Sequence, residues 1–284
     1  MKILVTGAAG QFGRELTEVL SKEGYIVFPY TKQELDIANP NQIRKVLRED
    51  RPDLIINSAA FTKVDLCEVE LEKSYLINGL SPYYLALEAK KYNIRLFHIS
   101  TDYVFGGEKT TPYEETDEAF PATIYGKSKR IGEELALAFG NNVTVIRTSW
   151  LYGHKGQNFV NTIKKLSDCL DEIQVVHDQY GCPTYAKDLA NAVKGLILKS
   201  PGIYHVTNEG SCSWFEFATE IIKFLKKQTK IIPVSTEEYG LKTPRPCYSV
   251  LSNKKLKESG ISMRPWKEGL REYLKKEFKD AYED

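Results

Sequence analysis

The sequence offers little to tie the chain together covalently or to draw it to a charged partner. Its 5 cysteines (Cys67, Cys169, Cys182, Cys212, Cys247) are scattered, with no C-x-x-C pair. An odd count at wide spacing argues against a disulfide frame and for reduced thiols in a cytoplasmic protein. The 4 histidines (His98, His154, His177, His205) are equally dispersed, so no metal-ligand cluster is visible. No apolar run approaches the roughly 18 residues of a membrane span, and no basic stretch with an apolar one behind it reads as an export signal. With 39 Lys and Arg against 38 Asp and Glu the net charge is +1, which gives no electrostatic case for nucleic acid or an anionic membrane as partner. Internal repeats, low-complexity tracts and Gly/Ser linkers are missing too. Lys275, Lys276 and Lys279, with Glu277 and Asp280, read as the solvated face of a terminal helix.

What remains is an ordinary globular composition, 42% hydrophobic and 27% charged. Lys2–Thr6 is a short apolar run typical of a buried parallel strand. It feeds into Gly7, Gly10 and Gly13, then into helical periodicity over Arg14–Lys22. Strand, glycine turn, helix is the context that a dinucleotide fingerprint requires. Gly7 permits the sharp turn, Gly10 lets the backbone approach a pyrophosphate, and Gly13 allows close helix–strand packing. The helix N-terminus then offers free N–H groups to the phosphates. The second strand, Tyr25–Tyr30, ends in Tyr30, Thr31 and Lys32 instead of the acidic residue that holds a ribose 2′-OH, which leans toward NADPH over NADH. Asp36 and Ile37 follow where an adenine edge could be read, although Asp36 equally well starts the helix from Asn39 to Glu49. Asp53–Ser58 is a third strand whose small successors leave room for a ligand. Leu66–Leu80 and Pro82–Tyr92 are expected to be helices, and Leu96–Ser100 and Val143–Thr148 strands. This alternation predicts an α/β fold, a Rossmann-type doubly wound parallel sheet. Residues 1–150 are expected to form the dinucleotide-binding domain. Residues 151–284 are expected to form a smaller mixed α/β substrate-binding lobe that shares some elements with it.

The chemistry concentrates between Ser100 and Arg130. Thr101, Asp102 and Tyr103 end an apolar strand, and Tyr125 and Lys129 stand four apart in a helix expected just after Pro121, on one face. An ammonium beside a phenol favours the phenolate and lowers its pKa from about 10, which makes the Tyr a proton donor or acceptor beside a carbonyl. Thr101 could supply a second hydrogen bond to the same oxygen. A Tyr–Lys pair alone is common on solvated helices; its place after a nucleotide fingerprint gives it weight.

Thr6–Gly13 (TGAAGQFG), Asn57–Ala60 (NSAA), Ser100–Gly107 (STDYVFGG) and Tyr125–Lys129 (YGKSK) resemble the extended short-chain dehydrogenase/reductase family. Arg147–Gly153 (RTSWLYG), Gly156–Ile163 (GQNFVNTI), Asp178–Ala190 (DQYGCPTYAKDLA) and Thr243–Pro246 (TPRP) are similar to its dTDP-4-dehydrorhamnose reductase branch, so that the resemblance spans nearly the whole chain. It implies hydride transfer from NADPH or NADH to C4 of dTDP-4-dehydro-6-deoxy-L-mannose. Tyr125 would protonate the C4 oxygen, Lys129 would hold the nicotinamide ribose and lower the Tyr125 pKa, and Thr101 would polarise the carbonyl. Asp102, Trp150 and Asn158 would contact the sugar nucleotide. Gly7, Gly10, Gln11, Phe12, Gly13, Asp36, Ile37, Ala60, Phe61 and Thr62 would line the cofactor. Trp150 also reads as a core aromatic and Asn158 as a helix cap. Arg245, between two prolines, reads as a bidentate pyrophosphate clamp or an exposed loop charge. Family members are described as using Mg²⁺ at a dimer contact; Glu15 is the nearest match, and a full carboxylate set is not found. A homodimer is therefore a possible state. Rival readings are a reductase or epimerase of another nucleotide sugar, since one fold serves many reactions, and a non-catalytic regulatory subunit of the same fold.

Overall fold

Lys2–Thr6 (β1) is buried over its last four residues. Successive side chains of a strand point to opposite faces. Ile3 and Val5 accordingly pack with Phe12, Leu16 and Leu20 of the helix Gln11–Lys22 (α1), and Leu4 packs on the other side with Ile43, Val46 and Leu47 of Pro40–Asp50 (α2). Burial on both faces is what a parallel sheet between two helical layers requires. The computed structural model describes residues 1–139 and 142–278, so Lys279 and Asp280 lie outside the described residues. In it β1 sits within a six-stranded, wholly parallel sheet. The spatial order is Ile26–Tyr30 (β2), β1, Leu54–Asn57 (β3), Arg95–Thr101 (β4), Val143–Thr148 (β5), and an outer strand, Gly202–His205. The chain leaves β1 to one side for β2 and returns on the other side for β3. Ligands of open α/β sheets bind outside the carboxyl ends of the strands at such a switch point.

The segments after residue 150 do not all stay apart from this sheet. Gly202–His205 extends it, and the helix Ala186–Leu196 packs on α1 through Leu189, Val193 and Leu196. Most of the others surround a second core of Tyr152, Ile163, Phe217, Leu270 and Tyr273, while Leu256 and Met263 join the first. Its helices are Phe159–Ser167, Trp214–Phe224 and Trp266–Glu277, and its strands Glu172–Val176 and Lys230–Val234 pair in parallel.

One helix expectation fails. Leu66–Leu80 is not continuous: it breaks into single turns at Val64–Cys67 and Leu71–Ser74, then a π-helical turn, Tyr75–Leu80, that runs on into Ser81–Lys91. Asn78 explains the wider turn. Its amide accepts from Phe61 N–H at 2.8 Å, donates to the Phe61 carbonyl at 2.9 Å and reaches Ser128 Oγ at 3.2 Å. A π-turn re-aims one side chain without ending the helix. The Asn78 carbonyl also lies against Gly132, where an added Cβ would come within 2.1 Å of it, so the helix Ile124–Phe139 approaches closely only because residue 132 is glycine.

Candidate active site

At the end of β1, Gly7 has φ +66°, a conformation that L side chains rarely adopt, and a Cβ there would lie 2.8 Å from Ala59 N. A Cβ on Gly13 would lie 2.3 Å from the Gly7 carbonyl. The turn and the close start of α1 thus both require glycine. The α1 N-terminus, capped by Gly10, has no side-chain cap bond and no acidic residue in its first turn, which leaves its N–H groups to an anion. Beside it lies a cavity of about 490 Å³ lined by Gly7, Gly10, Lys32, Asp36, Ile37, Ala60, Phe61 and Lys73. The donor set and the glycine cradle fit a dinucleotide, with two lysines at hand for a further phosphate. Asp36 lines the cavity, and its Oδ1 accepts from Ala38 N–H at 3.0 Å; it does not start α2, whose cap is Asn39.

Three residues expected at the cofactor are placed differently. Phe12 buries its ring in the core beneath α1, so it has only backbone to offer. Thr62 is exposed and is not among the residues lining the cavity. Gln11 turns across to the second lobe, where Oε1 accepts from Gly153 N–H at 3.0 Å and from Asn158 Nδ2 at 2.9 Å. Asn158 is thereby committed. Its oxygen caps the helix Phe159–Ser167 by accepting from Asn161 N–H at 3.0 Å, and its amide holds Gln11 and the Gly153 carbonyl, which removes it from substrate contact in this arrangement.

The reactive cluster forms where β4 ends beside the first turn of Ile124–Phe139. That helix can approach because a Cβ on Gly126 would lie 2.1 Å from the Tyr103 carbonyl. Tyr125 is buried, its ring edge-on to Tyr103 with centroids 5.5 Å apart, and Thr101 is near enough to its hydroxyl to act on its proton affinity. Burial raises the Tyr125 pKa above the ordinary phenol value, Thr101 opposes this, and the Asp102 charge adds to it. The expected net lowering by Lys129 is therefore corrected. The Lys129 amine turns inward, donating to the Ile99 carbonyl at 2.6 Å, and burial brings it down to about 8. Asp102 is only 2% exposed; Thr101 Oγ1 donates to one carboxylate oxygen at 3.0 Å and Ser249 Oγ to the other at 2.6 Å. It props Thr101 from beneath instead of facing a sugar, and burial raises it to about 6.

Buried groups on either side of the cluster give the fold an acid limit. His205 donates through Nδ1 to the Tyr113 carbonyl at 3.1 Å and faces the Arg147 guanidinium through Nε2; burial, then Arg147, lower it from 6.5 to about 3. Between those values the unfolded chain binds the extra proton, so stability falls as pH drops from 6.5 toward 3. Asp102 acts in the opposite sense, from about 6 down to 3.8, which offsets part of the loss. Thermal melts between pH 7 and pH 4 are expected to show a falling Tm for the wild-type chain and a shallower fall for His205→Gln; parallel slopes would contradict this.

The second cavity, about 280 Å³, adjoins Tyr103 and is lined by Phe159, Thr162, Gln179, Trp214, Tyr239 and Arg245. Trp150, strained at φ +46°, lays its ring flat on Trp214 with centroids 3.5 Å apart, so it forms part of the aromatic shelf behind this cavity. Arg245 donates to Asp65 at 2.6 Å through one nitrogen, while its buried Nη1 has no partner. Sequence reasoning missed Trp214, Gln179, Tyr239, Ser249 and the polar pair Asn57 and His98 behind Lys129. Only the last pair left a trace, as polar residues inside otherwise apolar strands. Glu15, the expected metal contact, is buried; no group of three His, Cys, Asp or Glu side chains that could hold an ion occurs among the described residues, and no helix there is long and apolar enough to cross a membrane.

Comparison with known proteins agrees with this geometry. The model of the family described as RmlD substrate binding domain matches residues 1–278. The spore coat polysaccharide biosynthesis protein SpsK of Bacillus subtilis (strain 168) is 55% identical over 273 residues, 96% of each chain. The dTDP-4-dehydrorhamnose reductase of Aggregatibacter actinomycetemcomitans is 37% identical, covering 95% of this chain and 97% of that one. Among solved structures, the dTDP-4-dehydrorhamnose reductase of Bacillus anthracis str. Ames in complex with NADP matches with a TM-score of 0.94 and 42% identity, covering 97% of this chain and 99% of that one. The chain belongs to the RmlD substrate binding domain family, together with these dTDP-4-dehydrorhamnose reductases.

Proposed function

We propose that the protein reduces the C4 keto group of dTDP-4-dehydro-6-deoxy-L-mannose with NADPH, or NADH, to give dTDP-L-rhamnose. The observation that carries this reading is the buried Thr101–Tyr125–Lys129 cluster, whose Tyr125 ring packs on Tyr103 of the Arg245 cavity, together with the glycine cradle after β1. The bound nicotinamide would supply the hydride. The protein's task is to place the sugar, exclude water and deliver a proton to the C4 oxygen as charge develops on it. Burial keeps the Tyr125 phenol protonated well above neutral pH, which suits a group whose role in a reduction is to donate. Thr101 donates its hydrogen to Asp102 and would have to turn it to the C4 oxygen to give that oxygen a second contact. Lys129 has one N–H committed to Ile99 and can turn the rest of its amine to the nicotinamide ribose. The aromatic shelf of Trp214 and Trp150 offers stacking area for a pyrimidine base, and the unpartnered Nη1 of Arg245 a donor for pyrophosphate. The exposed thiols of Cys169 and Cys247 fit a reducing cytoplasm.

The assay is loss of NADPH absorbance with the dTDP-4-keto sugar as acceptor. Oxidation equal to the sugar added is expected, and no oxidation above background would count against the assignment. The cavity lysines give a second expectation. Lys32→Ala should raise KM for NADPH about tenfold, the scale of one charge-assisted contact, while KM for NADH stays within twofold. Equal changes for the two coenzymes would remove Lys32 from 2′-phosphate recognition.

A further inference from the structure

β4 carries a histidine inside an apolar strand. His98 is wholly buried, and each ring nitrogen meets one partner: Nδ1 lies 3.1 Å from Asn57 Nδ2, and Nε2 lies 3.3 Å from Lys129 Nζ. The chain continues beyond Asn57. Thr6 Oγ1 donates to Asn57 Oδ1 at 2.6 Å and accepts from Ala59 N–H at 3.4 Å. With the Asn57 oxygen engaged, its amide nitrogen faces His98 and donates to Nδ1. A neutral imidazole carries one ring hydrogen. With Nδ1 accepting, that hydrogen sits on Nε2 and points at Lys129. An ammonium has three donors and no acceptor, so it would meet the Nε2–H donor to donor; a free amine has a lone pair to receive it.

We infer that Thr6, Asn57 and His98 form a one-way hydrogen-bond chain that makes Lys129 Nζ an acceptor, and that His98 is the positioning residue setting the protonation of that amine. The sheet register aligns the chain: Thr6 stands opposite Asn57 and Asn57 opposite His98 on β1, β3 and β4. Besides His98, the charged group that acts on the amine is Glu133 on its own helix. Glu133 favours the ammonium, but Arg147 takes both its oxygens. Burial holds His98 well below its ordinary value, so the ring stays neutral, as the chain requires. For catalysis the inference rests on the proposed role of Lys129 beside Tyr125; the wiring itself does not.

The test uses the full chain. ¹⁵N NMR of labelled histidine above pH 9, where Lys129 is a free amine, is expected to show His98 protonated at Nε2; an Nδ1–H tautomer there overturns the inference. The second measurement is a titration of Lys129 by ¹³Cε labelling in wild type and His98→Gln, a neutral exchange whose amide can turn its oxygen toward the ammonium. The Lys129 midpoint is expected to rise by about one unit, tenfold in proton affinity, and the alkaline limb of kcat to move with it. An unchanged or lowered midpoint overturns the inference. Should the variant fail to fold, the wild-type tautomer still decides, and neither NMR measurement depends on which sugar is reduced.

Discussion

Tyr125→Phe loses roughly two to four orders of magnitude in kcat, the range associated with removing a positioned general acid, while KM for sugar and coenzyme stays within a few-fold. Only the hydroxyl is deleted. The ring keeps its edge contact with Tyr103, and the helix keeps its approach at Gly126, so the fold and both cavities persist. The lost group is the proton donor that burial keeps in acid form well above neutral pH, whereas Lys129 is turned to Ile99 and His98, and Thr101 already directs its hydrogen toward Asp102. A folded Tyr125→Phe protein turning over at the wild-type rate would remove the mechanism.

Arg147→Met destabilises the fold by about 3–5 kcal/mol, the cost of leaving one buried charge alone. Arg147 in β5 is 1% exposed and Glu133 on the Tyr125 helix is not exposed at all. The guanidinium donates from Nε at 2.9 Å and Nη2 at 2.7 Å to the two carboxylate oxygens, so removing it leaves a buried carboxylate with only Arg130, 3.4 Å from one oxygen. Calorimetry is expected to show a Tm lower by on the order of 10 °C. Arg147→Met with Glu133→Leu should recover most of that, since replacing a buried pair by apolar groups is often neutral. A double variant as unstable as the single one would mean that the pair matters for shape and not for charge. The recovered variant has a further use. Glu133 opposes the drop in Lys129 pKa, so without it Lys129 should titrate below about 8.

Local signals were legible in the sequence where one segment determines its own conformation. The passage from β1 through Gly7 to α1 is such a case, because the turn conformation and the close approach both demand glycine there. The Tyr125–Lys129 spacing is another, since helix geometry alone places both on one face. Legibility ended where a side chain's target belongs to a distant segment. Asn158 caps its helix and grips Gln11, 147 positions away in sequence, which no local pattern announces. Leu66–Leu80 has helical periodicity, yet Asn78 must reach Phe61 and Ser128, and the helix yields to it. The direction of the Tyr125 shift was misjudged for the same reason. The spacing gave the distance to Lys129, but burial by Tyr103 and the turning of the amine toward β4 decide the sign.

The central claim is that the cluster at the end of β4 sets a keto carbon of a nucleotide sugar against a bound reduced nicotinamide. Its most direct test is turnover with NADPH carrying deuterium at both positions of nicotinamide C4, the product being read by mass spectrometry and NMR. The account predicts dTDP-L-rhamnose one mass unit heavier, with deuterium at sugar C4 alone; full turnover with no label at that carbon would contradict it.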